Sequence, residues 1–193
     1  MNPSPRLAVL GSGQGTNFVA IQTAILAGDL NAQIVLVVSD LPDAPMLERA
    51  RTFGLPTAIL PASPFKTKLS PEGETALVEL LRQHHIDWVI LAGYMRVVKE
   101  PLLSAFPGRI VNIHPSLLPA FKGLRAWEQA LAAGVKETGC TVHFVNRDID
   151  AGEIIAQKRV PVLNGDTPST LHARIQGAEH ELYPEALAKV FRS

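Results

Sequence analysis

The sequence predicts an α/β fold, a doubly wound, mostly parallel sheet with an antiparallel pair at its C-terminal edge. Three observations predict it. Short β-branched runs alternate with segments of helical spacing from the N-terminus onward. Two later runs, Trp88 to Leu91 and Ile110 to Ile113, are continuously apolar, as strands covered on both faces by helices must be. The last two strand-like runs alternate apolar with polar residues and are joined through Asn146, Asp148, Asp150 and Gly152.

Each element follows from its residues. Leu7 to Leu10 form a first strand, with Phe18, Ile21 and Ile25 at the spacing of one helix face behind it. Ile34 to Val38, then Met46, Leu47 and Ala50, repeat the unit. Thr57 to Leu60 give a third strand. Ser70 and Pro71 open a third helix with Ala76, Leu77, Leu80 and Leu81 on one side, since serine caps first-turn N–H groups and proline needs no donor there. Between them, Pro61 to Pro71, with Lys66 and Lys68, is the expected long loop, of the kind that borders sites in such folds. A helix around Trp127 to Ala133 precedes the edge pair, Thr138 to Val145 and Glu153 to Val160. Thr167 and Pro168 start a further helix with Leu171 and Ile175 inward, and Leu182, Leu187 and Val190 fit a last one after a turn at Gly177.

Composition bounds the function. With 193 residues, 47% of them apolar, one core suffices, so a single domain over 1–193 is expected, a Rossmann-like part over about 1–110 followed by a second part over about 111–193. Eighteen basic and 18 acidic side chains cancel, which leaves no electrostatic footprint for a long nucleic acid or an anionic membrane and points to small partners. Cys140 is the single cysteine, which excludes a disulfide framework or a Cys-based zinc site within one chain and suits a reducing compartment. The run Leu7 to Leu10 is too short for a signal peptide, and Trp88 to Ala92 is too short to span a bilayer, so the chain reads as cytoplasmic. His84 and His85 end a helix, His143 alternates within a strand, and no His-Glu-x-x-His spacing exists, so no metal is expected.

Two places carry chemistry. The first strand runs into Gly11, Ser12, Gly13, Gln14, Gly15, Thr16 and Asn17 before an amphipathic helix, where backbone N–H groups and the helix dipole converge into a phosphate cradle. Thr16 stands where a dinucleotide fingerprint needs its third glycine, and Asp40 lies too far beyond Gly11 to be that motif's acid, which favours a phosphomonoester. The bland alternative is a tight turn shaped by glycine alone. At the second place, Asn112 and His114 are two apart on a buried strand and so share a face at the crevice where open α/β sheets bind ligands. An amide donor beside an imidazole can hold a developing oxyanion while the ring manages a proton, the requirement of acyl transfer to an amine. Either Asp148 or Asp150 can orient His114 from the last turn; the alternatives are a histidine that merely caps its strand and an ordinary acidic turn. Tyr94, Met95 and Arg96 leave the fourth strand at the same edge, either as a seat for a flat heterocycle or as a plain connection. Ser12 lacks the glycine two positions before it that a nucleophile elbow requires, and Ser116 follows a proline in a turn, which argues against a serine hydrolase.

Asn112-Ile-His-Pro-Ser-Leu-Leu-Pro119, with Gly13-Gln-Gly-Thr-Asn17, Ala92-Gly-Tyr-Met-Arg96, Val142-His-Phe-Val145 and Asp150-Ala-Gly152, resembles the folate-dependent formyltransferases over nearly the whole chain. The Gly-rich start resembles the branch whose acceptor is glycinamide ribonucleotide. The resemblance implies a formyltransferase-like fold whose second part binds folate, with 10-formyltetrahydrofolate as formyl donor and no metal. It implies Asn112, His114 and Asp150 as the catalytic group, with Asp150 holding His114 charged. It places Gly15, Thr16 and Asn17 on the ribonucleotide phosphate, Gln176 and Glu179 on its phosphoribosyl portion, Met95, Arg96, Val97 and Val98 along the pterin, and Lys68 and Arg96 near the benzoylglutamate. Lys68 stands where some relatives carry Arg, Asp40 where Asn is frequent, and Leu124 to Trp127 depart from a His-rich segment. A tRNA-directed member would carry a further C-terminal domain and a formyltetrahydrofolate hydrolase a further N-terminal one, for which 193 residues leave no room. The hydrolase remains the nearer rival, and a non-catalytic phosphate- or nucleotide-binding module the more distant. Small molecules are the expected partners of a monomer or homodimer.

Overall fold

The computed structural model describes residues 4–192. Its strands β1 (Arg6–Leu10), β2 (Gln33–Ser39), β3 (Thr57–Ile59), β4 (Trp88–Leu91), β5 (Ile110–His114), β6 (Glu137–Phe144) and β7 (Ile154–Pro161) form one sheet in the order β3-β2-β1-β4-β5-β6-β7. The first five pair in parallel, and β6 and β7 are antiparallel. This is the doubly wound sheet with an antiparallel edge that the periodicity predicts. Among the described residues five helices connect the strands, α1 (Thr16–Ala27), α2 (Pro45–Thr52), α3 (Pro71–Gln83), α4 (Leu102–Ala105) and α5 (Ala126–Ala132), and a sixth, α6 (Pro168–Arg192), follows β7. The one-turn α4 is too short to leave a periodic signal. Among the described residues no helix is long and apolar enough to cross a membrane.

Alternation along β1 divides the core between the two sheet faces. Leu7 and Val9 join Phe18, Ile21, Leu171, Ile175 and Leu182 on the face covered by α1 and α6. Ala8 and Leu10 join Leu77, Leu81 and Leu102 on the face covered by α3 and α4. Ser70 caps α3 as expected, its Oγ accepting from the Gly73 N–H at 3.1 Å. The strand order reverses between β1 and β4, so the loops leaving β1, β4 and β5 open on one crevice.

The expected turn at Gly177 does not form. α6 runs unbroken for 25 residues with Gly177 and Pro184 inside it. A lone glycine in a helix costs only about 1 kcal/mol, and the inward stripe of Leu171, Ile175, Ala178, Leu182 and Ala186 continues through it, so burial outweighs the local preference. Tyr183, fully buried, fastens α6 to the sheet. Its hydroxyl lies 2.9 Å from the Leu91 carbonyl of β4 and 3.0 Å from the Val111 carbonyl of β5.

A Cβ on Gly177 would meet nothing within 4 Å. Gly177→Ala is therefore expected to stabilise the protein by roughly 0.5–1 kcal/mol in urea unfolding. A loss of stability would mean that Gly177 needs a conformation alanine cannot adopt.

Candidate active site

Register decides which side chains meet. β6 pairs antiparallel with β5 so that His143 faces Asn112 and Thr141 faces His114. Directly opposed residues on one face lie within reach of each other, and Asn112 Nδ2 sits 3.2 Å from His143 Nε2. The other ring nitrogen, Nδ1, lies 2.8 Å from the Phe144 carbonyl. A carbonyl only accepts, so Nδ1 carries the hydrogen and Nε2 presents its lone pair to the Asn112 amide. Burial pushes the His143 pKa below its ordinary value, which keeps this neutral tautomer. The Asn112 amide is thereby oriented, with one of its two N–H groups spent on His143.

His114, buried at the end of β5, has an acceptor at each nitrogen. Nε2 donates to the Phe121 carbonyl at 2.9 Å, and Nδ1 faces Asp150 Oδ2 at 3.3 Å. Both contacts are satisfied together when both nitrogens carry hydrogen, as in the imidazolium. Asp150 Oδ2 also accepts from the Gly123 N–H at 2.9 Å. Asp150 Oδ1 lies 3.7 Å from His143 Nε2, a contact rather than a hydrogen bond because that nitrogen's lone pair already serves Asn112. Of the two acids in the turn, Asp150 is the one beside His114. Asp148 is exposed, and its N–H donates to Asn146 Oδ1 at 3.0 Å. Gly152 makes this turn possible, since a Cβ there would stand 1.7 Å from the Phe144 carbonyl oxygen. Among the described residues no group of three or more His, Cys, Asp or Glu is arranged to hold a metal ion.

The Gly-rich turn lies at the same crevice. Gly15 caps α1 with φ 71°, in the left-handed region that glycine adopts without strain, and supplies no side-chain cap. The first-turn N–H groups of α1 thus stay open to an anion. The glycines also make room for a neighbour, as a Cβ on Gly11 would lie 2.5 Å from Met46 Sδ and one on Gly15 2.8 Å from Met46 Cβ. Asn17 is buried and donates from Nδ2 to Glu179 Oε2 of α6 at 2.9 Å, while its own Oδ1 has no partner. Burial pushes the Glu179 carboxyl up to about 7, with the Asn17 hydrogen bond opposing it. Gln176 lies one turn before Glu179 on the same helix side.

Residues of the β4 exit are stitched to this turn. Ser12 Oγ donates to Asp40 Oδ1 at 2.6 Å and accepts from the Met95 N–H at 2.9 Å. Asp40 Oδ2 pairs with Arg96 Nε at 2.6 Å. Arg96 also donates to the Phe65 carbonyl, and the Val97 N–H donates to the Thr67 carbonyl at 2.8 Å, so this exit ties down the long loop. Met95 is 58% exposed and Val98 is buried. The Lys68 ammonium sits 4.5 Å from the Phe65 ring centroid. The structure thus gathers Asn112, His114 and Asp150, and separately Asn17 and Glu179. It turns the Arg96 guanidinium toward Asp40 and the loop carbonyls. Sequence reasoning misses His143, whose place beside Asn112 depends on strand register, and the pairing of Asp40, whose partners Ser12 and Arg96 come from two other loops.

The chain matches the family described as formyl transferase over residues 5–187, and it belongs to that family. It is 42% identical over 185 residues to phosphoribosylglycinamide formyltransferase of Bacillus subtilis, covering 96% of this chain and 94% of that protein. It is 44% identical over 185 residues to the human trifunctional purine biosynthetic protein adenosine-3, of which the chain spans 18% of the length. The crystal structure of glycinamide ribonucleotide transformylase 1 from Symbiobacterium toebii superposes with a TM-score of 0.92 at 48% identity, covering 97% of this chain and 88% of that one.

The buried Glu179 carboxyl links stability to pH. Its folded value of about 7 exceeds the ordinary 4.5, so its contribution is full below pH 4.5 and is lost as pH rises to about 7, a cost of roughly 3 kcal/mol above that. Glu179→Gln keeps an acceptor for Asn17 and removes the charge. The variant is expected to gain stability over the parent as pH rises from 4.5 to 7, measured by urea unfolding at pH 5 and pH 8. An equal difference at both pH values would show that Glu179 does not titrate there.

Proposed function

We propose that this chain transfers the formyl group of 10-formyltetrahydrofolate to the amine of glycinamide ribonucleotide. The observation that carries the reading is the meeting of Asn112, His114 and Asp150 at the end of β5, an oriented amide beside a ring held by a carboxylate. The membership of the formyl transferase family and the names of its relatives support the donor and the acceptor.

In this reading the substrate amine attacks the formyl carbon directly. The carbonyl oxygen gains negative charge, takes the free N–H of Asn112 and lies against the His114 imidazolium, and the bond to the folate nitrogen then breaks. The amine gives up one proton through water to Asp150, and Asp150 returns it through water to the folate nitrogen, which leaves protonated while Asp150 regains its charge. The protein contributes proximity and oxyanion stabilisation without a covalent intermediate. The open N–H groups of Gly15, Thr16 and Asn17 receive the ribonucleotide phosphate, and Gln176 and Glu179 read its ribose. The unpartnered Asn17 Oδ1 suits a donor, which a ribose hydroxyl offers and a phosphate does not. The pterin lies along Met95 to Val98, with Lys68 and the tethered Arg96 bordering its benzoylglutamate.

Incubation of the protein with 10-formyltetrahydrofolate, with and without glycinamide ribonucleotide, tests the reading. Tetrahydrofolate is expected only when the ribonucleotide is present, and the ribonucleotide is expected to gain the mass of one formyl group. Release without acceptor would identify a hydrolase instead. Asp150→Asn is expected to lower kcat about 100-fold or more while keeping ribonucleotide affinity. Asn17→Ala is expected to raise the KM for the ribonucleotide about tenfold with a smaller effect on kcat. Equal loss of ribonucleotide binding in both variants would overturn this division of roles.

A further inference from the structure

The segment after β5 delivers two backbone groups to the catalytic cluster, the Phe121 carbonyl to His114 and the Gly123 N–H to Asp150. Its backbone is bent tightly, with positive φ at Phe121, Gly123 and Arg125. Such a stretch holds its shape only when its ends are fixed. The N-terminal end is fixed by β5 and by Ser116, whose Oγ donates to the Ala120 carbonyl at 2.6 Å. The C-terminal end runs into α5, where Gln129 Nε2 donates to both the Lys122 carbonyl, at 3.1 Å, and the Leu124 carbonyl, at 2.9 Å. The segment is thus a rigid extension of α5, and α5 is seven residues long and buries only Ala126 and Ala130 fully. Its one aromatic side chain, Trp127, stacks on His172 of α6, with ring centroids 3.8 Å apart and planes 12° from parallel. Burial holds the His172 pKa below its ordinary value, which favours the neutral ring in that stack.

We propose that Trp127 and His172 are a positioning pair for formyl transfer, setting the place of α5 on α6 and through Gln129 the place of the two backbone groups that orient His114 and Asp150. Neither ring is among the hydrogen-bond or ion-pair partners of Asn112, His114 or Asp150, so the pair acts on them through α5. The inference rests on the formyl-transfer reading for its kinetic consequences, while its structural consequence is independent of any activity. A displacement of about 1 Å in a catalytic constellation can cost about 100-fold in rate, so a loosened α5 acts on turnover before it acts on binding.

The test compares the parent with Trp127→Ala, Trp127→Phe and Gln129→Ala, reading kcat, the KM of each substrate and the ring ¹⁵N resonances of His114 by NMR. Trp127→Ala is expected to lower kcat about 10- to 100-fold with each KM within about threefold, and to shift the His114 resonances. Trp127→Phe, which keeps a flat ring on His172, is expected to recover most of kcat and the parental resonances. Gln129 is exposed, so Gln129→Ala should fold normally and reproduce the lowered kcat if the segment is carried by α5. Should Trp127→Ala fail to fold, Gln129→Ala decides the matter alone. Unchanged kcat and unchanged His114 resonances in Gln129→Ala, or a loss in Trp127→Ala that phenylalanine does not restore, overturn the proposal. A parent that transfers no formyl group overturns the functional reading instead, and the His114 resonances still judge the pair.

Discussion

The Asp150 carboxylate is the junction on which the site depends. A carboxylate taken largely out of water has to be paired and hydrogen-bonded, or it destabilises the fold that holds it. Asp150 meets this requirement with groups from separate parts of the chain, His114 from the end of β5 and the Gly123 N–H from the segment that follows. The turn between β6 and β7 is shaped to bring it there, with Asp150 itself at φ 49° and Gly152 pressed against the Phe144 carbonyl. One charge thus fixes the relative positions of a strand end, a bent segment and a hairpin tip.

The long helix α6 ties this junction to the rest of the crevice. Along its length it offers His172 to Trp127, Glu179 to Asn17 and Tyr183 to the carbonyls of β4 and β5. Its continuity through Gly177 matters for this reason, because a break there would separate the aromatic contact from the two polar ones. On the opposite side of the crevice, the Ser12, Asp40 and Arg96 network does similar work between the β1 turn, the end of β2 and the β4 exit. Arg96 is committed to that network and to the Phe65 carbonyl, so it holds the wall of the crevice.

Much of the molecule is legible in the sequence because its signals are local. Periods of two and of helical spacing disclose the strands and helices. The spacing of Asn112 and His114 discloses a shared face, and the glycines before Thr16 disclose an open helix start. The edge pair is legible from its alternating residue types and the turn residues between the runs, although β6 is buried from Thr138 to His143 and it is β7 that meets water. The exceptions have physical causes. Gly177 reads as a turn by its local preference, which tertiary burial of the α6 stripe outweighs. Asp148 and Asp150 are equivalent in spacing and differ only in which one the hairpin turns inward.

By itself, then, the sequence determined the fold class, the order of its elements, the crevice at the strand ends and the family whose motifs line it. Only the tertiary structure decided that His143 orients Asn112, that Asp150 rather than Asp148 meets His114, that Arg96 turns to Asp40, and that Trp127 lies on His172. The division has one physical reason. Periodicity and capping act over a few residues and are written along the chain. Strand register, helix docking and the pairing of buried charges join groups far apart in sequence, and they are settled only when the core closes around them.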